Sequence, residues 1–356
     1  MSSILSRTEA FCHRFGLKVP LLLAPMAGAS APTLSKAVMT AGGAGACGAL
    51  LMKPDEIVAW VAEVRTAEKH PFQINLWIPD PPPNRDSDKE ASMREFLAHW
   101  GPPVPAEAGN ATPPDFTAQC DALIAVAPPI VSSIMGLYPS DFVERLKSKG
   151  IQWLANVSTV AEALAAEAAG ADVIVAQGME AGGHRGCFDA ELAEKQMVGL
   201  FALLPAVVDA VKLPVVATGG IANGRGVAAA LTLGASAVQI GTAFLRCPEA
   251  KIHPAWAAAL AQTKPEDTLV TRSFSGRAGR SIATDYVRAS ASVYSNAPVP
   301  YPVQRGLTAG MRAEAQKTGD LHRMQAWAGQ SAALGRTQPA GEMVRELWET
   351  AGEFLN

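Results

Sequence analysis

Short apolar runs alternate with amphipathic helical patterns through the first 245 residues, and this alternation limits the possible folds. The apolar runs are residues 21–26, 45–50, 72–78, 130–136, 151–157, 172–178, 214–220 and 237–245. The helical patterns between them are 33–41, 54–67, 140–149, 161–169, 198–211 and 224–233. Runs that are apolar throughout are typical of parallel strands covered on both faces. Eight strand–helix units in series predict an α/β protein with a (β/α)8 (TIM) barrel.

An open, doubly wound sheet of the dinucleotide-binding type is the alternative to a barrel. Such sheets carry a G-x-G-x-x-G segment after the first strand and an acidic residue about 20 residues later. Neither feature follows residues 21–26. The sequence therefore favours the barrel.

Two segments depart from the alternation. Residues 79–114 are rich in proline, contain a helical pattern at 88–100, and form an insertion after the third strand. Active sites of α/β proteins lie at that end of the sheet, so the insertion is either a lid or a plain surface excursion. We predict a barrel domain at 1–245 and, at 246–356, either a helical C-terminal extension that caps the barrel mouth or a small second domain. The helical patterns of this extension are 253–263, 301–316, 321–328 and 342–354.

Composition limits the partners. The net charge is −3, which indicates no nucleic-acid or anionic-membrane partner. The N-terminus lacks the apolar region of a signal peptide, and no apolar run reaches the ~20 residues that span a bilayer. The five cysteines form no C-x-x-C pair, so we expect reduced thiols in a cytoplasmic protein. The six histidines are scattered, and we predict no metal site.

The sixth apolar run leads directly into a glycine-rich loop that presents His184. Gly178, Gly182 and Gly183 allow backbone N–H groups to face an anion and a flat ligand to approach closely. The ordinary pKa of histidine suits proton transfer near neutral pH. The loop predicts a cofactor site with a catalytic base beside it. The alternatives are a tight turn with an incidental surface histidine and a nucleophilic pair of His184 with Cys187.

Glycine-bearing turns also follow the seventh and eighth apolar runs. Gly219 and Gly220 precede a helix, and Gly241 and Thr242 end the last run. Barrels that bind phosphate do so at these two places. The turns therefore predict a phosphorylated ligand, unless the glycines only permit close turns. No Walker A sequence is present, so we expect no nucleoside triphosphate.

Together these motifs resemble the nitronate monooxygenase (2-nitropropane dioxygenase) family, and class I members in particular. The matching segments are 23–28 (LAPMAG), 177–184 (QGMEAGGH), 217–221 (ATGGI), 239–242 (QIGT), 273–277 (SFSGR), 325–331 (QAWAGQS) and, alone, Asn75. The resemblance covers nearly the whole chain. It implies an FMN-dependent barrel that oxidises alkyl nitronates with O2 to a carbonyl compound and nitrite. We expect a small-molecule substrate and a monomer or homodimer.

The resemblance also implies roles for individual residues. His184 would face the substrate, either as the base that takes the α-proton of a nitroalkane or as a cation that pairs with a nitronate. The residues that would bind FMN are Ala24, Pro25, Met26, Asn75, Gln177, Gly182, Gly183, Gly219, Gly220, Gln239, Ile240, Gly241 and Thr242.

The chain departs from the family pattern in the expected substrate pocket. Ile134 stands where class I members often carry a histidine, so we expect a bulkier or less polar substrate than a small carboxylated nitronate. Tyr301 either donates a hydrogen bond in this pocket or lies on the surface. Two other functions stay open: an NAD(P)H-dependent flavin reductase of quinones or enoyl thioesters, and a phosphate-binding lyase or isomerase without flavin.

Overall fold

The computed structural model describes residues 4–65, 70–292 and 297–355. The strands are β1 Leu21–Leu23, β2 Gly45–Gly48, β3 Phe72–Trp77, β4 Ile130–Ile134, β5 Gln152–Val157, β6 Val173–Gln177, β7 Gly183–His184, β8 Val215–Thr218, β9 Ala237–Ile240, β10 Thr268–Thr271 and β11 Gly279–Ile282. The α-helices are α1 Ile4–Phe15, α2 Pro32–Thr40, α3 Pro54–Val64, α4 Ser87–Ala98, α5 Phe116–Val126, α6 Ser140–Ser148, α7 Val160–Ala168, α8 Leu200–Ala210, α9 Gly224–Thr232, α10 Pro254–Leu260, α11 Asp285–Ser290, α12 Val303–Leu307, α13 Ala309–Thr318 and α14 Ala340–Leu355. Short 3-10 helices span Ala106–Asn110, Thr242–Arg246, Pro248–Ala250, Pro265–Asp267 and Ala332–Leu334.

Eight parallel strands form the predicted barrel. Their order is β1-β9-β8-β6-β5-β4-β3-β2, and a parallel bridge between Leu22 and Ala44 joins the two ends of the sheet. Leu23 N donates to Ala44 O at 2.9 Å and Ala44 N donates to Leu21 O at 3.0 Å, which closes the barrel. The predicted (β/α)8 fold is confirmed. Most strands end earlier than predicted, because the apolar residues that follow them turn into loops at the barrel mouth.

Helix α1, which the sequence analysis did not predict, closes one end of the barrel. Phe11 and Phe15 pack with inward-facing side chains from the starts of the strands, among them Leu22, Leu154 and Val216. Phe11 is 3% exposed. Because the opposite ends of the strands open into a cavity, α1 seals the base of the barrel and leaves the mouth to the site.

The last helix completes the outer ring. Helix α14 packs against both α9 and α2, the position that the eighth barrel helix occupies. The contact is close: a Cβ at Gly224 would lie 2.6 Å from Ala351 N. The barrel therefore includes residues on both sides of the boundary predicted after Leu245. We correct that boundary: residues 246–339 are an excursion between the eighth strand and the eighth helix.

Three further features differ from the prediction. Helix α5, capped by Asp115 through Ala118 N at 3.1 Å, occupies the third helix position but was not predicted. Residues 321–328 are not helical, because this segment runs in extended form beside β11. There Ile282 N donates to Ala326 O and Ala328 N donates to Arg280 O, at 3.0 and 3.3 Å. The predicted helix at 54–67 ends at Val64, and its last two residues lie outside the described ranges.

The insertion and the C-terminal excursion share a hydrophobic cluster. Met93 and Leu97 of α4 are buried against Phe274, Val303 and other apolar side chains of the excursion. The excursion is not purely helical, since β10 and β11 pair with β7 in an antiparallel sheet. None of residues 79–114, all of which the structure describes, lines the cavity at the barrel mouth. The insertion therefore packs against the excursion at 246–339, which we call the cap, without lining the cavity.

Asp80 ties the start of the insertion to the cap. Its carboxylate accepts two hydrogen bonds from the buried guanidinium of Arg277, one of them from Nε at 2.8 Å. A bidentate pair fixes orientation as well as distance.

No helix in the described part of the chain is long and apolar enough to cross a membrane.

We predict that Phe11→Ala destabilises the protein by about 3–5 kcal/mol, because it leaves a cavity at the base of the barrel. Urea denaturation followed by circular dichroism measures the change. Glu9→Ala, on the exposed side of the same helix, is the matched control. Equal free energies of unfolding for the two variants would contradict a sealing role for α1.

Candidate active site

A cavity of about 620 Å³ lies at the carboxyl ends of the barrel strands. All thirteen residues that the resemblance assigned to cofactor binding line it, together with His184 and Ile134. These residues come from loops or strand ends spread along two thirds of the sequence. Parallel strands bring them together, because their carboxyl ends meet at one rim.

The turns after β8 and β9 present free backbone donors to this cavity. Gly219 and Gly220 have φ of +113° and +70°, values that residues other than glycine rarely adopt. The N–H groups of Gly219, Gly220, Gly241 and Thr242 have no hydrogen-bond acceptor among residues 4–65, 70–292 and 297–355. Asn223 caps the following helix α9 through Gly226 N at 3.0 Å. The arrangement suits an anion such as a phosphate.

Gly182 fixes the contact between the β6 loop and the cap. A Cβ at this position would lie 2.4 Å from Gly329 N and 2.6 Å from Ala328 C, so a side chain cannot fit. Thr242 Oγ1 accepts a hydrogen bond from Gly329 N at 3.0 Å, which leaves its hydroxyl proton available to a ligand. The three segments are therefore joined at the wall of the cavity.

Amide and hydroxyl side chains form the floor of the cavity. Asn75 Nδ2 donates to Ser132 Oγ at 3.1 Å, and Gln239 Oε1 accepts from Gln73 Nε2 at 2.8 Å. Asn156 Oδ1 is buried without a hydrogen-bond donor among the described residues. The sequence analysis missed Asn156 and Ser132, although a polar residue within an otherwise apolar strand was a usable signal.

Gln177 holds the glycine-rich loop closed. Its Nε2 donates to His184 O at 3.1 Å, and its Oε1 accepts from Gly186 N at 2.8 Å. Met26, predicted to pack near a flavin ring, lines the cavity, and its own N–H donates to Ser30 Oγ at 2.6 Å. Hydrogen bonds within the chain therefore fix the positions of Gln177 and Met26.

His184 sits in β7 between two indole rings. Its ring centroid lies 4.6 Å from that of Trp77 and 4.7 Å from that of Trp327, both edge-on. Its Nε2 is 2.8 Å from Ser275 Oγ. Burial, followed by the positive charges of Arg305 and Arg277, lowers the pKa of His184 to about 3. His184 is therefore neutral near neutral pH.

The charges around the cavity are all positive. Arg305, Arg312 and Lys251 line it, and no Asp or Glu of the described residues does. Burial, reinforced by Arg305, lowers the pKa of Arg312 to about 10. The sequence analysis missed Arg305, Arg312 and both tryptophans, because they lie far from the glycine-rich motifs along the chain. Such a cavity favours anionic ligands.

Three arginines near the mouth are buried. Arg185 donates to Gly178 O at 2.8 Å and Arg280 Nε donates to Met179 O at 2.9 Å, so both hold the glycine-rich loop. Arg277 is 2% exposed and pairs with Asp80. Loop carbonyls without strand partners need such donors, which explains their burial.

A nucleophilic pair of Cys187 with His184 does not form. Cys187 is buried with Ala193 and Ala278, outside the cavity, and burial raises the pKa of its thiol to about 11. Among the described residues no cluster of three or more His, Cys, Asp or Glu side chains could hold a metal ion.

The two residues assigned to the substrate pocket have different positions. Ile134 lines the cavity. Tyr301 does not: its ring lies behind Trp77, with centroids 5.6 Å apart. Trp77 lies between Tyr301 and the cavity. The cavity wall next to Tyr301 is therefore formed by the indole of Trp77 and the aliphatic side chain of Ile134.

Known proteins are similar to this chain in sequence and in fold. The family model described as "Nitronate monooxygenase" matches residues 9–350. A nitronate monooxygenase from Paraburkholderia phytofirmans is 39% identical over 351 residues, which cover 95% of this chain and 94% of that protein. A nitroalkane oxidase from Streptomyces ansochromogenes is 34% identical, with a TM-score of 0.85 over 95% of this chain and 96% of the other. FabK from Thermotoga maritima is 28% identical, with a TM-score of 0.75 over 97% and 96%.

We predict that His184 makes the protein less stable as the pH falls from about 6.5 toward 3. The unfolded histidine takes up a proton in this range and the folded one does not, so the unfolded state binds more protons. The loss is at most about 1.4 kcal/mol per pH unit. Unfolding at several pH values should show a smaller slope for His184→Asn than for the natural protein, and equal slopes would contradict the neutral histidine.

Proposed function

Because the chain belongs to the nitronate monooxygenase family and is therefore an oxidoreductase, we propose that it oxidises alkyl nitronates with O2, using FMN, to a carbonyl compound and nitrite. One observation carries the proposal: a single cavity is lined both by free backbone donors and by a neutral histidine between two indoles. Arginine and lysine side chains also line it, and no carboxylate of the described residues does.

The residues present fit FMN. The N–H groups of Gly219, Gly220, Gly241 and Thr242 would bind its phosphate, with the positive end of α9 behind them. Asn75, Gln177, Gly182 and Gly183 would border the ring, and Asn156 Oδ1 offers an unpaired acceptor. Ala24, Pro25 and Met26 would cover one side, with Gln239 and Ile240 beneath. Adding a Cβ to the crowded glycines would obstruct these turns.

When bound, FMN supplies the electron transfer from the nitronate and the reaction with O2, and the protein supplies position and electrostatics. The indoles of Trp77 and Trp327 hold His184 and limit the access of water to it. Arg305 and Arg312 provide a positive potential for an anionic substrate. The two indoles and the two arginines keep their charge during turnover.

His184 is the proposed catalytic base for neutral nitroalkanes. Near neutral pH its ring is unprotonated, so it can take a proton from the α-carbon but cannot pair as a cation with a nitronate. Ser275 holds Nε2 at 2.8 Å and so fixes the plane of the ring. Of the two roles the sequence left open, the geometry and charge favour the base.

The walls around His184 favour an alkyl group on the substrate. Ile134 and the two indoles present apolar surface where a second histidine is common in the family. We therefore propose a bulkier or less polar substrate than a small carboxylated nitronate. Kinetics that favour propionate 3-nitronate over longer alkyl nitronates would contradict this preference.

We also propose that the protein acts in the cytoplasm, as a monomer or homodimer. All five cysteines are free thiols, and four of them are buried, which suits a reducing compartment.

We predict that the protein as isolated, or after addition of FMN, absorbs as a flavoprotein and forms nitrite from ethyl nitronate in air. Without oxygen, nitronate should bleach the flavin and NAD(P)H should not. Stopped-flow absorbance and a colorimetric nitrite assay measure both. Rapid bleaching by NAD(P)H would favour a flavin reductase, and a colourless protein that binds no FMN would favour a lyase or isomerase.

We predict that His184→Asn lowers kcat/KM for neutral nitroethane by about 10²-fold or more, since a general base contributes 10²–10⁴-fold. With ethyl nitronate, which needs no proton removal, the loss should stay below about tenfold. Flavin content, read from the absorbance ratio, controls for cofactor loss. Equal losses with both substrates would remove the base assignment.

A further inference from the structure

Arg305 presents a guanidinium without a protein partner to the cavity. No residue in the described part of the chain accepts a hydrogen bond from it or forms an ion pair with it. Burial lowers its pKa, with a smaller opposing effect from Tyr301. A partly desolvated cation is unfavourable unless an anion completes its shell. An anionic ligand would therefore stabilise the charge of Arg305 more than the charges of the neighbouring cations.

The neighbouring cations are already satisfied. Arg312 donates to Thr308 Oγ1 at 3.1 Å, to Gln325 Oε1 at 3.3 Å and to Arg305 O at 2.9 Å. Arg277 pairs with Asp80. Lys251 is exposed, so water can hydrate its ammonium. Among the described cations near the site, Arg305 is the one that is both withdrawn from solvent and without an acceptor.

Arg305 and His184 line the same cavity. Arg305 lies four residues after Tyr301, whose ring packs on Trp77, and Trp77 in turn packs on His184. After burial, the charge of Arg305 makes the largest electrostatic contribution to the low pKa of His184, and the Arg277 charge that also acts there is paired with Asp80. An anion bound to Arg305 therefore shares the cavity with His184.

We propose that Arg305 binds the two oxygens of the substrate's nitronate group, an inference that rests on the proposed nitronate oxidation. A nitronate is planar and spreads one negative charge over two oxygens, which matches the fork of a guanidinium. With His184 neutral, Arg305 supplies the positive charge for the anion. His184 then stays free to act as a base.

A carboxylate has the same planar, two-oxygen chemistry, so a carboxyl group elsewhere on the substrate is the other source. The cavity shared with His184, which has apolar walls from Trp77, Ile134 and Trp327, favours the reacting group. The two sources differ in which substrates depend on Arg305.

The test compares Arg305→Gln and Arg305→Lys with the natural protein, all loaded with FMN. Ethyl nitronate has no carboxylate and propionate 3-nitronate has one. Arg305→Gln should raise KM for both about 10- to 100-fold, as expected for a charge-assisted hydrogen-bonded pair. Arg305→Lys keeps the charge but loses the fork, and should fall between. Lys317→Gln, an exposed charge loss on α13 outside the cavity, is the matched control.

Two measurements need no turnover. Calorimetric titration with nitrate, a planar anion, should give a dissociation constant at least about tenfold higher for Arg305→Gln. NMR of labelled histidine should show that the pKa of His184 rises in Arg305→Gln and not in Lys317→Gln. Thermal unfolding identifies a variant that fails to fold, and Arg305→Lys then carries the comparison.

Each outcome decides one of the two proposals. If the natural protein forms nitrite but Arg305→Gln keeps its KM for ethyl nitronate, the Arg305 assignment is wrong. A rise in KM for propionate 3-nitronate alone would assign Arg305 to a remote carboxylate and overturn it as well. If the natural protein forms no nitrite from any nitronate, the proposed function fails. Unchanged nitrate binding would then show independently that Arg305 is not an anion site.

Discussion

The closed loop after β6 is the element on which the rest of the site depends. Gln177 bonds both arms of the loop, through His184 O and Gly186 N, and Arg185 bonds the carbonyl of Gly178. These contacts hold residues 183–184 in an extended conformation, and this short strand, β7, pairs with β11. The same loop thus closes one side of the cavity, carries the histidine, and forms the edge onto which the C-terminal excursion docks. Bare glycines make this possible, because Gly182 touches the backbone at Gly329.

Two kinds of positive group line the cavity. Backbone N–H groups after β8 and β9 offer partial positive charge without a titrating side chain, which suits a permanently bound phosphate. Arg305 and Arg312 line the same cavity, where the absence of carboxylates among the described lining residues leaves their field uncompensated. Burial, reinforced by the charges of Arg305 and Arg277, keeps His184 neutral near neutral pH. A neutral histidine and a fixed cation in one cavity would allow proton transfer and anion binding by separate residues.

The cap is an extended connection between the last barrel strand and the last barrel helix, and it forms one wall of the cavity. The chain leaves the barrel after β9, builds a small antiparallel sheet and a helical cluster, and returns as α14 to the empty place between α2 and α9. The insertion after β3 packs behind this cap through α4 and through Asp80. Trp327 and Ser275 of the cap contact His184 of the barrel, and Arg305 of the cap lines the same cavity. Cap and barrel therefore contribute different groups to one cavity.

The sequence by itself determined the barrel, because eight apolar runs covered by helices have few other ways to bury both faces. It also located the glycine-bearing turns and His184 that line the cavity, since glycines after strands permit the backbone to approach a ligand closely. Tertiary structure alone decided the position of α14, the burial of Arg277 and the wall formed by Trp77 in front of Tyr301. It also decided the charge of His184. These features depend on contacts between residues distant in the chain, and burial and Coulomb interactions have no signature in local sequence.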